Sequence, residues 1–174
     1  MKVQYSEEKE ALGTGGALKN AEMLVRNNPF LLCNGDTLLE LDYGRLLAAH
    51  RRGKAIVTLA LARAADGSRY GNVQALANGE VKEWVEKPRA GKSGFEPAWI
   101  YGGVCLADRR LFDFIPAAPP AVSLERDVFR KLTGHGLFAE RFTGFFLDIG
   151  VPADYEFAKK AIPERYGCAG THSR

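Results

Sequence analysis

The sequence predicts an α/β domain with a mixed, mostly parallel sheet. Two short apolar runs, Phe30–Cys33 and Ala55–Ala62, lack polar alternation and therefore indicate strands that are buried on both faces. An amphipathic segment at Tyr43–Arg52 separates them, as expected for a helix between strands of such a sheet. The turn sequence Ala77-Asn78-Gly79 predicts a hairpin, which adds antiparallel pairing.

The other elements of the amino-terminal half follow from local patterns. Val3–Ser6 is a short candidate strand. The glycine-rich stretch Leu12–Gly16 predicts a loop, followed by a helix over about 17–26. The strands of the hairpin are Gly71–Leu76 and Val81–Glu86, on either side of its turn.

The carboxyl-terminal half continues the alternation of strands and helices. Proline indicates several helix boundaries in this half. Proline disrupts the interior of a helix but is favoured in the first turn of one. Serine is a favoured residue at a helix N-terminus. The predicted elements are a strand at Trp99–Leu106, a helix at Arg109–Ile115 before Pro116, a helix to Leu132 capped by Ser123, strands at Leu137–Phe142 and Phe145–Leu147, and a helix from Pro152 to about Ile162.

Length and composition favour one globular domain. The chain has 174 residues, of which 46% are hydrophobic and 26% charged, which suffices for a core and differs from the composition of disordered chains. No internal repeat or linker divides it. We expect the domain to span residues 1–162 and residues 163–174 to form a loose tail.

Charge and leader signals narrow the functional classes. The net charge of +3 is weak and evenly spread, which suits anionic small molecules better than nucleic acid. The apolar runs are too short to span a membrane, and the charged N-terminus has no signal-peptide core. The three cysteines form no CxxC pair, so we expect free thiols in a reducing, cytoplasmic environment.

Two aspartates follow predicted strands. Asp36 comes after the run Phe30–Cys33, and Asp148 comes after Phe145–Leu147. Ligands of open α/β sheets bind beyond the carboxyl ends of the strands, and Mg²⁺ takes one or two carboxylates with water and phosphate oxygens. The pair therefore indicates a metal site, whereas either aspartate alone would be more typical of a turn or helix cap.

Two further stretches could bind anions. The backbone N–H groups of Gly13-Thr14-Gly15-Gly16, before a helix, could bind an anion or the edge of a base, although an ordinary helix N-terminus explains the pattern equally well. Glu86 and Lys87 end a predicted strand. Lys87 could bind a phosphate and Glu86 could accept hydrogen bonds from sugar hydroxyls, and the alternative is a surface ion pair.

Several of these stretches, taken in order, resemble one family. They are Tyr5-Ser6-Glu7-Glu8, Leu12-Gly13-Thr14-Gly15-Gly16-Ala17, Asn34-Gly35-Asp36-Thr37, Arg69-Tyr70-Gly71, Val85-Glu86-Lys87-Pro88, Ser123-Leu124-Glu125-Arg126-Asp127 and Phe146-Leu147-Asp148-Ile149-Gly150. The chain is similar in this way to the sugar-1-phosphate nucleotidylyltransferases, and most similar to the heptose 1-phosphate and mannose-1-phosphate guanylyltransferase branch. The resemblance extends to about Ala161.

The resemblance implies a Rossmann-like nucleotidyltransferase fold and a reaction. A sugar 1-phosphate and a nucleoside triphosphate would form a nucleotide sugar and pyrophosphate, with Mg²⁺ as cofactor. The implied site residues are Asp36 and Asp148 for the metal, with Lys87 as the third catalytic residue, at the sugar phosphate; Gly13, Thr14, Gly15, Gly16, Asn34 and Gly35 for the nucleotide; and Gly71, Glu86, Tyr101 and Gly102 for the sugar.

The sequence departs from the family pattern at three places. Tyr101 stands where the family usually has asparagine, and Val151 where it usually has threonine after the second aspartate motif. The family also opens with a strand and a GxGTRxxP loop that bind the triphosphate, and this chain lacks them. The resemblance therefore implies an N-terminally truncated fold.

Three functional hypotheses follow. The first is a nucleotidylyltransferase of nucleotide-sugar biosynthesis, with guanylyl or related transfer. The second is a non-catalytic module that binds sugar phosphate or nucleotide. The third is a fragment that completes its sheet with a partner chain, such as a homo-oligomer that covers exposed sheet edges.

Overall fold

The computed structural model describes residues 2–64, 70, 72–85, 98–117 and 121–167. The strands are β1 (Phe30–Cys33), β2 (Thr37–Leu39), β3 (Val57–Ala64), β4 (Asn72–Ala75), β5 (Val81–Val85), β6 (Ala98–Ala107), β7 (Leu137–Phe142) and β8 (Phe146–Asp148). The helices are α1 (Gly13–Asn20), α2 (Tyr43–Gly53), α3 (Arg130–Leu132), which continues a π-helical segment at Leu124–Phe129, and α4 (Pro152–Tyr166), with 3₁₀ helices at Glu22–Leu24 and Arg109–Phe114. The predicted strands and helices are thus largely confirmed.

Most strands form a six-stranded sheet around β6. The strand order is β5-β4-β6-β3-β7. Strand β1 also pairs with β6, and it lies along the same edge of β6 as β4. The remaining two strands, β2 and β8, form a separate antiparallel pair, which we call the ribbon. The α/β class and the mixed sheet are confirmed.

The predicted predominance of parallel pairing is not found among the described strands. Only β3 and β7 pair in parallel in the described sheet, because the central strand β6 runs opposite to β1, β3 and β4. Apolar runs indicate burial on both faces but carry no information about strand direction, which is why the sequence pattern did not reveal this.

The sheet separates two hydrophobic clusters. Val57, Leu59 and Leu61 of β3 face one cluster, which contains the helical segment 124–132. Ala60 and Ala62 face the other, with Leu46 of α2 and Leu39 of the ribbon. Both faces of β3 are therefore buried, as its unbroken apolar run predicts.

Four local predictions need correction. Val3–Ser6 forms no strand. Helix α1 begins at Gly13, so the glycines form its first turn instead of a preceding loop. Strand β1 lies at an edge with alternate residues exposed, including Leu31 at 44%. Helix α4 continues past Pro163 to Tyr166, so four residues assigned to the tail are helical.

A β-bulge lies where the ribbon crosses the sheet. Leu59 pairs with Cys105 and Leu61 with Tyr101, so Ala60 alone faces three residues of β6. Two of these are Gly102 and Gly103, and the side chains of the ribbon pack directly on them. Bulges often occur beside functional sites, where they redirect the backbone.

None of the helices in the described ranges is long and apolar enough to cross a lipid bilayer.

Candidate functional site

The ribbon brings Asp36 and Asp148 to the same end of the domain. Asp148 is the last residue of β8 and pairs with Thr37, the residue after Asp36. The backbone N–H of Ile149 donates to the carbonyl oxygen of Asp36 at 3.0 Å. The predicted proximity of the two aspartates is therefore present, although β8 belongs to the ribbon and not to the main sheet.

The two carboxylates differ in their hydrogen bonding. Asp148 Oδ1 accepts from the backbone N–H of Gly150 at 2.7 Å, which is the turn-capping role that the sequence left open. The carboxylate of Asp36 is exposed and accepts no hydrogen bond from the described residues. Asp36 and one oxygen of Asp148 are thus available to a ligand.

This donor set fits a magnesium ion. Two carboxylates are what Mg²⁺ usually takes from a protein, since water and substrate phosphates complete its octahedron. No group of three or more His, Cys, Asp or Glu residues with metal-binding geometry occurs in the described part of the chain, so the site does not resemble an all-protein metal cage.

A groove of about 650 Å³ lies next to Asp36, between α1 and the end of β1. Thr14, Asn34, Gly35 and Asp36, all predicted site residues, line it together with apolar side chains such as Leu124. An apolar groove with a few polar groups at one end is typical of a site for a small ligand. The structure therefore brings one half of the predicted nucleotide site together with one of the two carboxylates predicted to bind metal.

Gly35 has no packing reason to be glycine among the described residues. A Cβ atom added there would meet nothing within 4 Å, and its backbone φ is not positive. Close approach of a ligand to the backbone is a further reason for glycine. The neighbouring Asn34 is fixed by its backbone, which donates to the carbonyl of Gly103 at 2.8 Å.

The glycines of α1 are explained by packing. An added Cβ would lie 2.5 Å from the carbonyl oxygen of Val122 at Gly13, which has φ of +74°, and 2.8 Å from the Val122 side chain at Gly15. At Gly16 it would lie 2.7 Å from Leu12. The N–H of Gly15 also donates to Val122. Contact with a nucleobase stays a prediction for all three.

Thr14 joins α1 to the segment Ser123–Asp127, a link that the sequence did not reveal. Its hydroxyl donates to Glu125 at 3.0 Å and accepts from the N–H of Leu124 at 2.8 Å. The hydroxyl of Ser123 donates to the same Glu125 oxygen and accepts from Arg126. The predicted N-cap at Ser123 is confirmed, and these bonds hold the wall of the groove in place.

The residues predicted to bind sugar are only partly described. Gly71, Glu86 and Lys87 lie outside the described residues. Tyr101 packs against Trp84 and Phe129 in the interior, and burial raises the pKa of its hydroxyl, which is hydrogen-bonded to Cys105. This packing disfavours the predicted sugar contact. Gly102 leaves room for Leu39, since an added Cβ would lie 2.6 Å from that side chain.

The described cysteines behave differently from each other. Burial raises the pKa of the Cys105 thiol to about 12, so it is protonated at neutral pH. Cys33, which we expected in a buried run, is exposed on the edge strand and lines the groove. Both thiols are free, as predicted.

The end of α4 is attached to the ribbon through Glu40. Arg165 binds both oxygens of this carboxylate, at 2.6 and 2.7 Å, and the hydroxyl of Tyr166 donates to it at 2.8 Å. The N–H of Phe145 donates to it as well. The bonds with Arg165 and Tyr166 lower the pKa of Glu40 to about 2. We call this cluster the Glu40 clamp; sequence patterns did not predict it.

The chain is similar to curated proteins of two kinds. The chain is 33% identical over 165 residues to a D-glycero-alpha-D-manno-heptose 1-phosphate guanylyltransferase from Aneurinibacillus thermoaerophilus, covering 92% of the chain and 67% of the relative. It is 31% identical to a mannose-1-phosphate guanylyltransferase from Mycobacterium tuberculosis, covering 89% of the chain and 43% of the relative.

A solved structure shares the fold. The crystal structure of HddC from Yersinia pseudotuberculosis superposes with a TM-score of 0.71 at 30% identity, over 89% of this chain and 64% of that one. HddC has also been solved in complex with GMP-PN, and that structure gives a TM-score of 0.70. The chain therefore spans about two thirds of HddC and less than half of the mycobacterial relative.

The match to a family is nearly complete along the chain. The model described as "Nucleotidyl transferase" covers residues 1–165 of the 174. The segments that form the groove, the ribbon and most of α4 all lie within this match. This chain belongs to the nucleotidyl transferase family.

Proposed function

We propose that the chain acts in sugar-1-phosphate nucleotidylyl transfer, in which a nucleoside triphosphate and a sugar 1-phosphate form a nucleotide sugar and pyrophosphate. The observation that carries the proposal is the placement of Asp36 beside both the groove and Asp148. The names of the relatives, which are heptose and mannose 1-phosphate guanylyltransferases, favour GTP as the nucleotide.

In this proposal, one group of residues positions the nucleotide and another binds the metal that neutralises phosphate charge. The groove residues Thr14, Asn34 and Gly35 would bind the nucleotide, and Asp36 and Asp148 would hold Mg²⁺. When bound, Mg²⁺ would neutralise charge on the phosphates during in-line attack. Such transfer needs chiefly positioning and electrostatic stabilisation, and therefore no covalent nucleophile from the protein.

The sugar phosphate would be bound by residues that the resemblance supplies. In this proposal Lys87 neutralises the phosphate, Glu86 binds sugar hydroxyls, and Gly71 allows the sugar to approach the backbone. A sugar-phosphate oxygen then attacks the α-phosphorus of the triphosphate, and pyrophosphate leaves. The reaction is proposed to take place in the cytoplasm.

Pyrophosphate release tests the proposal. The purified chain is mixed with Mg²⁺, one nucleoside triphosphate at a time, and a panel of sugar 1-phosphates that includes mannose and heptose. We expect turnover with GTP, and a loss of more than about 100-fold in Asp36→Asn and in Asp148→Asn, since both remove a metal ligand. The matched control is Asp113→Asn, an exposed carboxylate in the 3₁₀ helix at Arg109–Phe114, which should leave the rate unchanged.

Absence of turnover across the whole panel, from a folded sample, would contradict catalysis by this chain. The same sample then separates the two alternatives. Nucleotide binding in a titration would support a binding module. The exposed Leu31 on edge strand β1 favours a partner that covers this edge, and light scattering would show a mass above that of the monomer.

A further inference from the structure

One buried hydroxyl in the described part of the chain has no hydrogen-bond partner. It is Oγ1 of Thr37, the first residue of β2. Leaving a buried hydroxyl unpaired lowers the stability of the folded state, so such groups in native proteins call for an explanation. The fully buried threonine of the sheet, Thr58, does have a partner, since its hydroxyl lies 3.0 Å from Nδ1 of His50.

The position of Thr37 relates it to the metal-binding pair. It follows Asp36 in the chain and lies directly opposite Asp148 in the antiparallel ribbon. Residues directly opposite each other in such a pair project their side chains to the same face, with Cβ atoms about 4.5–5.5 Å apart. The hydroxyl of Thr37 is therefore a neighbour of the carboxylate of Asp148.

The hydroxyl of Thr37 fits against the sheet only because the residue it packs on is glycine. Gly103 of β6 lies under it with φ of +74°, and an added Cβ would lie 2.0 Å from Thr37 Oγ1. A side chain at that position would therefore displace the hydroxyl. The bulge and its glycine thus accommodate a polar atom that makes no bond within the described residues.

Asp148 has one oxygen that could accept this bond. Its Oδ1 accepts from Gly150, whereas Oδ2 accepts no hydrogen bond from the described residues. Carboxylates that bind metals are usually held by hydrogen bonds from neighbouring groups, which orient them toward the ion.

We propose that Thr37 is a positioning residue for Asp148, whose carboxylate its hydroxyl orients when a divalent cation is bound. This inference rests on the proposed metal site at Asp36 and Asp148. The proposal accounts for the unpaired hydroxyl of Thr37, which lowers stability in the metal-free protein. The hydroxyl donates to the carboxylate of Asp148 only when the cation is bound. The hydroxyl acts through the carboxylate and does not itself contact the substrate.

Paired measurements of stability and metal affinity test the proposal. The probe is Mn²⁺, titrated into the metal-free protein and followed by water-proton relaxation. In Thr37→Val we expect Tm to rise by about 2–4 °C, because an unpaired hydroxyl is removed. The affinity for Mn²⁺ should fall by about 10–100-fold. Thr37→Ser, which keeps the hydroxyl, should retain affinity close to that of the wild type.

Thr58→Val is the matched control. It removes the partner of His50, so Tm should fall while the affinity for Mn²⁺ stays unchanged. An affinity in Thr37→Val equal to that of the wild type would overturn the role of Thr37, as would a fall in Tm together with affinity. Failure of the metal site itself would look different, because Asp148→Asn would then bind Mn²⁺ as the wild type does, and both proposals would be overturned.

Discussion

The six-stranded sheet and the two-stranded ribbon differ in how they are stabilised. The sheet has fully buried side chains on both faces of β3, and the buried hydroxyl of Thr58 in β3 is hydrogen-bonded to His50 of α2. In the ribbon only Leu39 and Leu147 are buried, and neither completely. The ribbon is held at one end by the exposed Glu40 clamp and contains a hydroxyl with no partner among the described residues. Stability is thus concentrated in the sheet, and the groups available for ligands are concentrated in the ribbon and the groove beside it.

The largest difference in stability is expected between truncation of a leucine in the sheet and truncation of a leucine in the ribbon. Leu59→Ala in β3 removes a fully buried side chain and should lower the free energy of unfolding by about 2–5 kcal/mol. Leu38→Ala in the ribbon truncates a partly buried side chain, so we expect a loss of about 1 kcal/mol. Urea denaturation of the two variants measures both values. Equal losses would show that the ribbon is packed as tightly as the sheet.

A pair of glycines tests the contact between ribbon and sheet. Gly103 and Gly134 both have φ of +74°, but an added Cβ meets Thr37 at Gly103 and nothing within 4 Å at Gly134. Gly134→Ala should cost about 1 kcal/mol of stability through backbone strain alone. Gly103→Ala adds a clash and should cost about 3 kcal/mol. Denaturation curves that coincide for the two variants would mean that the ribbon can shift away without cost.

The smallest expected effect is the pH dependence of the Glu40 clamp. The pKa of Glu40 is about 2 in the folded chain and near 4.5 when unperturbed. Because the folded pKa is the lower one, the clamp contributes stability above about pH 4.5 and loses it as the pH falls toward 2. Glu40→Gln lacks this contribution. We therefore expect its Tm to be lower than that of the wild type at pH 6 and the difference to shrink at pH 3.

The control for the clamp is Glu156→Gln. Glu156 forms an exposed ion pair with Lys159 within α4, so its loss should change Tm little at either pH. A difference in Tm between wild type and Glu40→Gln that is as large at pH 3 as at pH 6 would contradict the role assigned to the carboxylate.

Hydrophobic patterns predicted the centre of the sheet well and its edge strand β1 poorly. The unbroken run Ala55–Ala62 correctly indicated burial on both faces, and Asn78-Gly79 correctly indicated a hairpin. Strand β1 has an equally unbroken run but is half exposed, because burial depends on which strands lie beside it in space. A pattern of residue types along one segment does not contain that information.

Sequence patterns indicated which residues form the site but not the long-range hydrogen bonds that hold them in place. The proximity of Asp36 and Asp148 was foreseen, whereas the bonds of Thr14 with Glu125 join residues 111 positions apart and have no local signal. The end of α4 shows the same limit. Pro163 suggested a helix end, but the helix continues to Tyr166, where Arg165 and Tyr166 bind the distant Glu40.

The central position of β6 has a consequence for the order of folding. Strand β1 pairs only with β6 among the described strands, and Phe30 must meet Ala107 for that ladder to form. Pairings between residues so far apart in the chain form slowly, because the intervening segment loses conformational freedom first. During synthesis β1 therefore stays unpaired until residues 98–107 have left the ribosome. Over that interval the apolar run Phe30–Cys33, like β3, which also pairs only with later strands, is a segment of the nascent chain that we expect chaperones to bind.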